Sequence, residues 1–124
     1  MTIDRQEMGR RGERVAELFL RERGWRVLSR RFRSGHRDID LIVERSGLVV
    51  FVEVKARSGA EFGDPVEAVN WKKRRELVRS SSVWIERYGG EASAYRFDVI
   101  GVLFRADAVR VRHVEDAFAV TVRS

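Results

Sequence analysis

The segment RDIDLIVERSGLVVFVEVKAR, residues 37–57, constrains this chain more than any other. Val, Ile and Leu crowd it, and Ser46-Gly47 interrupts it once. It reads as two strands, 37–45 and 48–57, joined by a short hairpin turn. A small domain would fill such strands with valine, yet Asp38, Asp40, Glu53 and Lys55 stand inside them.

Side chains alternate along a strand, so Asp38 and Asp40 are expected on one face, and Glu53, Lys55 and Arg57 likewise share one. With Ser46-Gly47 as the two turn residues, Arg45 opposes Leu48. Counting back puts Asp40 opposite Glu53 and Asp38 opposite Lys55, with Cβ atoms about 4.5–5.5 Å apart. A β-bulge would break this register. One reading is a solvated polar face with an Asp38–Lys55 ion pair. It leaves Asp40 opposite Glu53 unexplained, because like charges directly opposed are destabilising. The other reading is a site for Mg²⁺ (or Mn²⁺), which carboxylates hold together with water and phosphate oxygens. Lys55 fits the second. The chain has 22 Arg and three Lys, at 55, 72 and 73. Lysine is a compact donor that can orient a water and stabilise developing charge beside a metal.

The remaining elements follow from period and punctuation. Residues 5–23 carry Met8, Gly12, Val15, Ala16 and Phe19 at helical spacing, and Gly24 stops them. Residues 25–32 suggest a strand. Asp64, Pro65 and Glu67 look like a helix start, with the helix running to about Tyr88 before Gly89-Gly90. Strands at 94–104 and 108–114 complete the order α-β-β-β-α-β-β, an α/β chain with one mixed sheet flanked by helices. The length of 124 residues suits a single domain, 1–124.

Composition narrows the function. No cysteine is present, which removes disulfides, thiolate metal sites and cysteine nucleophiles. No apolar run approaches the ~18 residues of a membrane span, and the N-terminal segment lacks a signal-peptide apolar region, so a cytoplasmic protein off the membrane is expected. The net charge is +6 and the pI about 10.6. Residues 1–37 hold eleven Arg against five acids, 38–70 seven acids against three bases, and 71–87 six bases against two acids. An acidic middle between basic blocks fits a metal site flanked by phosphate-binding surfaces. The run Lys72, Lys73, Arg74, Arg75 wraps most of a helical turn and suits nucleic-acid backbone contacts, and Arg57 is a further candidate for them. His36 and His113 have no partner at ligand spacing and read as surface or turn residues. Trp25, Trp71 and Trp84 read as core or rim.

Asp40, then twelve residues, then Glu53-Val54-Lys55 across a hairpin, resembles the PD-(D/E)XK nuclease superfamily. The match to one family is closer. Gly12-Glu13 with Ala16 and Leu20, Gly24-Trp25, DIDLI, FVEVKAR, FGDPVEAV, Lys72, RFDVI and Ala117-Phe118 together resemble the YraN-like family of bacterial proteins, which is similar to archaeal Holliday-junction resolvases. One departure is Arg37-Asp38, where that family usually has Gly-Glu. The resemblance implies a restriction-endonuclease-like core. It implies Asp40 and Glu53 as metal ligands, aided by the Val54 carbonyl, Lys55 beside the attacking water, and Glu13 as a helix acid completing the catalytic site. It also implies a homodimer. Three functions are in play: a Mg²⁺-dependent endonuclease acting on DNA, a nucleic-acid-binding module without cleavage, and a basic accessory protein.

Overall fold

A computed structural model describes residues 4–35, 37–59 and 63–119. Helix α1 (Arg5–Glu22) begins where the Asp4 carboxylate accepts the Glu7 N–H at 2.8 Å. Gly12, Ala16 and Leu20, each four residues apart, form its buried stripe. It ends in a paired cap, Trp25 N–H to Leu20 O and Gly24 N–H to Arg21 O, which needs the left-handed φ of 87° at Gly24.

Strands β1 (Arg26–Ser34), β2 (Arg37–Arg45) and β3 (Leu48–Ser58) precede helix α2 (Trp71–Tyr88), and β4 (Ala94–Phe104) and β5 (Val109–Val114) follow it. The chain is α/β, with one five-stranded sheet in the order β1-β2-β3-β4-β5. Only β3 and β4 run parallel, joined by the crossover that contains α2; the other neighbours are antiparallel. The expected element order and mixed sheet are borne out. Between β2 and β3, Ser46 (φ 52°) and Gly47 (φ 83°) are both left-handed, as a two-residue hairpin turn requires.

The sheet is covered on both faces. Ala16 and Leu20 of α1 pack with Leu41, Val43, Val50, Val52, Val54, Ile100 and Val102. Leu77 and Trp84 of α2 pack on the other face with Ile39, Ile42, Val49, Phe51, Phe97, Val99 and Phe118. Gly12 brings α1 down onto β3: a Cβ there would lie 2.6 Å from Ala56 Cβ.

The single helix expected from Asp64 is two pieces. Asp64 caps a 3-10 turn, Pro65–Ala68, by accepting the Val66 N–H, but Val69 is extended and buried in the α2-side core. Burying Val69 bends the chain inward, and α2 restarts with Asn70 accepting the Lys73 N–H.

A second departure concerns the charged strands. Ile39 packs on the α2 side and Leu41 on the α1 side, although strict alternation would put both on one face. Thus β2 changes phase at Asp40. Its neighbour changes phase too: Arg30 and Arg31 are consecutive, yet both reach acids of α1, and Arg31 is left-handed at φ 51°. The break falls after Asp40, which lines the α1-side cleft while Ile39 faces α2, so Asp38 and Asp40 keep the shared face expected of them and Leu41 is the residue out of step.

Candidate functional site

The β2–β3 ladder pairs Arg45 with Leu48 as far as Leu41 with Val52, the register expected from the turn. Asp40 and Glu53 follow this last pair directly. There the Asp40 carboxylate replaces a backbone partner: Oδ2 accepts the Val54 N–H at 2.7 Å. Asp40 thus stands where the two strands stop pairing. Asp38 does not meet Lys55. Its strand partner is Arg33, whose Nη1 lies 3.8 Å from Asp38 Oδ1, too far for a hydrogen bond. Lys55 Nζ instead lies 3.7 Å from Glu53 Oε1, two residues back on its own strand.

The site is electrostatically tense. Glu53 is only 6% exposed, and its Oε2 is buried with no hydrogen-bond partner. Burial pushes the proton affinity of Asp40 well above the usual carboxylate range. The negative charge of Glu53 adds to this, with a smaller push from Glu13, and the Val54 N–H works against them. Asp40, a carboxyl that resists ionisation, beside the unsatisfied buried oxygen of Glu53 is a donor set that a hard cation fits, because such an ion takes oxygen ligands and cancels their repulsion.

Glu13 reaches the same place from α1. With Arg10, Arg14, Leu18, Arg31 and Asp40 it lines an open cleft of about 530 Å³. Its carboxylate is forked on Arg31, with Oε1 accepting from Nε and Oε2 from Nη2, both at 3.0 Å. Among the described residues, no three His, Cys, Asp or Glu side chains are arranged to hold an ion by themselves. The structure records a hydrogen bond of the Val54 amide to Asp40, not a contact of its carbonyl.

The basic residues divide. Lys72, Arg75 and Arg57 are exposed. Arg74 is not free for a ligand: Nε donates to Val69 O, and its guanidinium lies over the Phe118 ring. Lys73 is half-buried and engaged within the protein. Because β4 parallels β3, α2 must run back along the sheet, so its first turn lies toward the end of β3 that carries Lys55 and Arg57. No helix among the described residues is long and apolar enough to cross a membrane.

The model of the uncharacterised protein family UPF0102 matches residues 12–102, a span that holds Glu13, Arg31, Asp40, Glu53, Lys55 and the whole of α2. The chain belongs to this family. A UPF0102 protein of Symbiobacterium thermophilum is 43% identical over 116 residues, covering 91% of this chain and 97% of the relative. Others from Anaeromyxobacter dehalogenans and Myxococcus xanthus are 40% and 37% identical, covering 92% and 93% of this chain and 85% and 91% of theirs. The resemblance to the YraN-like family read from the motifs is borne out.

Two side chains of this UPF0102 protein lie elsewhere than expected. His113 is not a surface residue. It is nearly buried on β5, with Nε2 2.7 Å from Asp98 Oδ2, and its ring meets Phe19 edge to face. Asp98 is 1% exposed and also accepts a fork from Arg96 (2.8 Å each) and the Asp116 N–H. Burial pushes the Asp98 carboxyl up, but the bonds from His113, Arg96 and Asp116 outweigh it and hold it below its usual range. The signal was Arg96 and Asp98 two apart within RFDVI, one strand from His113. Trp71 is 72% exposed rather than core or rim, whereas Trp25 and Trp84 are buried. His36, and Phe62 of FGDPVEAV, lie outside the described residues.

Proposed function

We propose that this UPF0102 chain is a Mg²⁺- or Mn²⁺-dependent endonuclease with a restriction-endonuclease-like core, hydrolysing phosphodiester bonds in branched DNA. The observation that carries the reading is Asp40 beside Glu53 at the strand fork, with Glu53 Oε2 buried and unpartnered. Asp40 and Glu53 would hold the cation. The Val54 N–H fixes the rotation of Asp40 by tying one of its oxygens to β3, with Glu53 beside it. Lys55, held near Glu53, presents an ammonium that orients a water and stabilises charge on the phosphate. A bound divalent cation supplies neutralisation of the scissile phosphate and lowers the pKa of a water. Lys72, Arg75 and Arg57 suit the flanking phosphates.

The test is cleavage of four-way junction, flap, duplex, single-stranded DNA and RNA with Mg²⁺ or Mn²⁺, comparing wild type with Asp40→Asn and Lys55→Ala. The reading expects cleavage by wild type alone, with metal binding retained in Lys55→Ala. Equal cleavage by the variants would remove these residues from the site. The fork of Glu13 on Arg31 favours a second reading, a nucleic-acid-binding module that cleaves nothing. Salt-sensitive binding without cleavage across that panel would select it.

A further inference from the structure

We infer that Arg31 is the resident counter-ion of the acidic site, and that a divalent cation must displace it from Glu13 in order to bind. This rests on the reading of Asp40, Glu53 and Glu13 as a cation site.

Two consecutive arginines of β1 fork two acids of α1 that lie one turn apart. Arg30 holds Glu17 at 2.6 and 2.8 Å, and Arg31 holds Glu13 at 3.0 Å twice. The Arg30–Glu17 pair, joined by Arg21, already ties the helix to the strand. Arg31 differs in place and in backbone. Its φ of 51° lies in the left-handed region, where a long side chain is disfavoured and glycine or asparagine is at home. The chain keeps arginine where the conformation argues against it, so the side chain has a use. Its guanidinium lines the cleft with Glu13 and Asp40. Its proton is held chiefly by Glu13, with smaller attractions from Asp40 and Asp38. Arg31 therefore feels the acids of the site as a bound cation would. Both Glu13 oxygens accept from the guanidinium, so an ion that takes Glu13 as a ligand must replace those bonds, and a second positive charge arriving nearby meets repulsion.

The experiment is a Mn²⁺ titration of the full chain without nucleic acid, read by calorimetry and by the EPR signal of free Mn²⁺. The proteins are wild type, Arg31→Gly, Arg31→Gln, Arg30→Ala and the double variant Glu13→Gln/Arg31→Gly. Glycine suits φ 51°, so Arg31→Gly keeps the backbone; Arg31→Gln removes the charge should glycine loosen the strand. The expected result is Mn²⁺ binding at least about tenfold tighter in Arg31→Gly, a smaller gain in Arg31→Gln, no gain in Arg30→Ala and loss of the gain in the double variant. Affinity unchanged or weaker in both Arg31 variants, with wild type binding Mn²⁺, overturns the inference alone. An equal gain in Arg30→Ala also overturns it, since any loosening of α1 would then suffice. No Mn²⁺ bound by wild type or the Arg31 variants overturns the cation-site reading as well.

Discussion

The Val54 amide donates to the Asp40 carboxylate at 2.7 Å, one step beyond the last residue pair of the β2–β3 ladder. The bond ties an acid of the site to the backbone of the strand that carries Glu53 and Lys55. Asp40→Asn keeps an acceptor for that N–H and removes the repulsion with Glu53. It should leave the metal-free protein as stable as wild type or raise its stability by up to about 1 kcal/mol. Asp40→Ala leaves a buried donor unpaired and should cost about 1–3 kcal/mol. Denaturant melts of the two variants distinguish these outcomes, and under the proposed function both lose cleavage.

The same carboxylate gives the metal-free protein an acid-favoured stability. Its folded-state proton affinity is raised by burial and by Glu53, so folding takes up a proton there. That contribution is fully present below the unfolded pKa and is lost as pH rises through the raised folded value. The melting temperature in EDTA should therefore rise from about pH 7 to about pH 5 more in wild type than in Asp40→Asn. Asp98 does not mask this: its carboxyl is held below its usual range, so its contribution is lost only at still lower pH. Equal slopes in the two proteins would show that Asp40 is ionised in the folded state.

The arrangement that yields these expectations was only partly visible in the sequence. The hairpin was legible because Ser46-Gly47 sits between two apolar runs, and its turn fixed the pairing from Arg45–Leu48 inward. That arithmetic placed Asp40 beside Glu53. It failed at Asp38, because the β2–β3 pairing ends at Leu41 and Val52, so the register does not extend to Asp38 and Lys55, and Asp38 pairs with Arg33 of β1 instead. Nothing in the residue types of SRRFRS announces an arginine with positive φ. His113 was missed for a related reason: the partners of a lone histidine come from strand order, and Asp98 reaches it only because β4 and β5 are neighbours. The break at Val69 was hidden because Val66, Val69 and Leu77 fit a helical period whether or not the chain stays helical between them.

Binding to nucleic acid should weaken steeply with salt, and the exposed half of the basic run should carry its share of the slope. Arg74 is spent on Val69 O and Phe118, leaving Lys72 and Arg75 outward. Replacing both by Gln should lower the slope of log affinity against log salt by about 2, one per lost phosphate contact. An unchanged slope would move the binding surface to the arginines of α1 and β1.

The Asp98 cluster should behave as structure rather than chemistry. Asp98→Ala leaves Arg96 and His113 facing a buried gap and should cost about 3–5 kcal/mol, while His113→Ala removes one bond and one ring contact and should cost about 1–3 kcal/mol. In a cleavage assay below the melting temperature, His113→Ala should keep wild-type activity. A large loss of activity in a folded His113→Ala protein would bring this residue into the function.

Gly12 tests how tightly α1 must sit for Glu13 to reach the cleft. Alanine in mid-helix is usually favourable by about 1 kcal/mol over glycine. Here the added Cβ would stand 2.6 Å from Ala56 Cβ on β3, closer than two methyl groups can pack, and neither atom is the end of a flexible chain. Overpacking of this kind costs about 1–3 kcal/mol, so the clash outweighs the propensity and Gly12→Ala should destabilise. Relief comes either by lifting α1 from the sheet, which carries the next residue, Glu13, away from Asp40, or by shrinking the opposing side chain. Ala56→Gly supplies the second route. The double variant Gly12→Ala/Ala56→Gly should recover most of the lost melting temperature, while Ala56→Gly alone should lose stability. If Gly12→Ala melts at or above the wild-type temperature, the helix does not rest on β3 at this point, and Glu13 is not positioned by that contact.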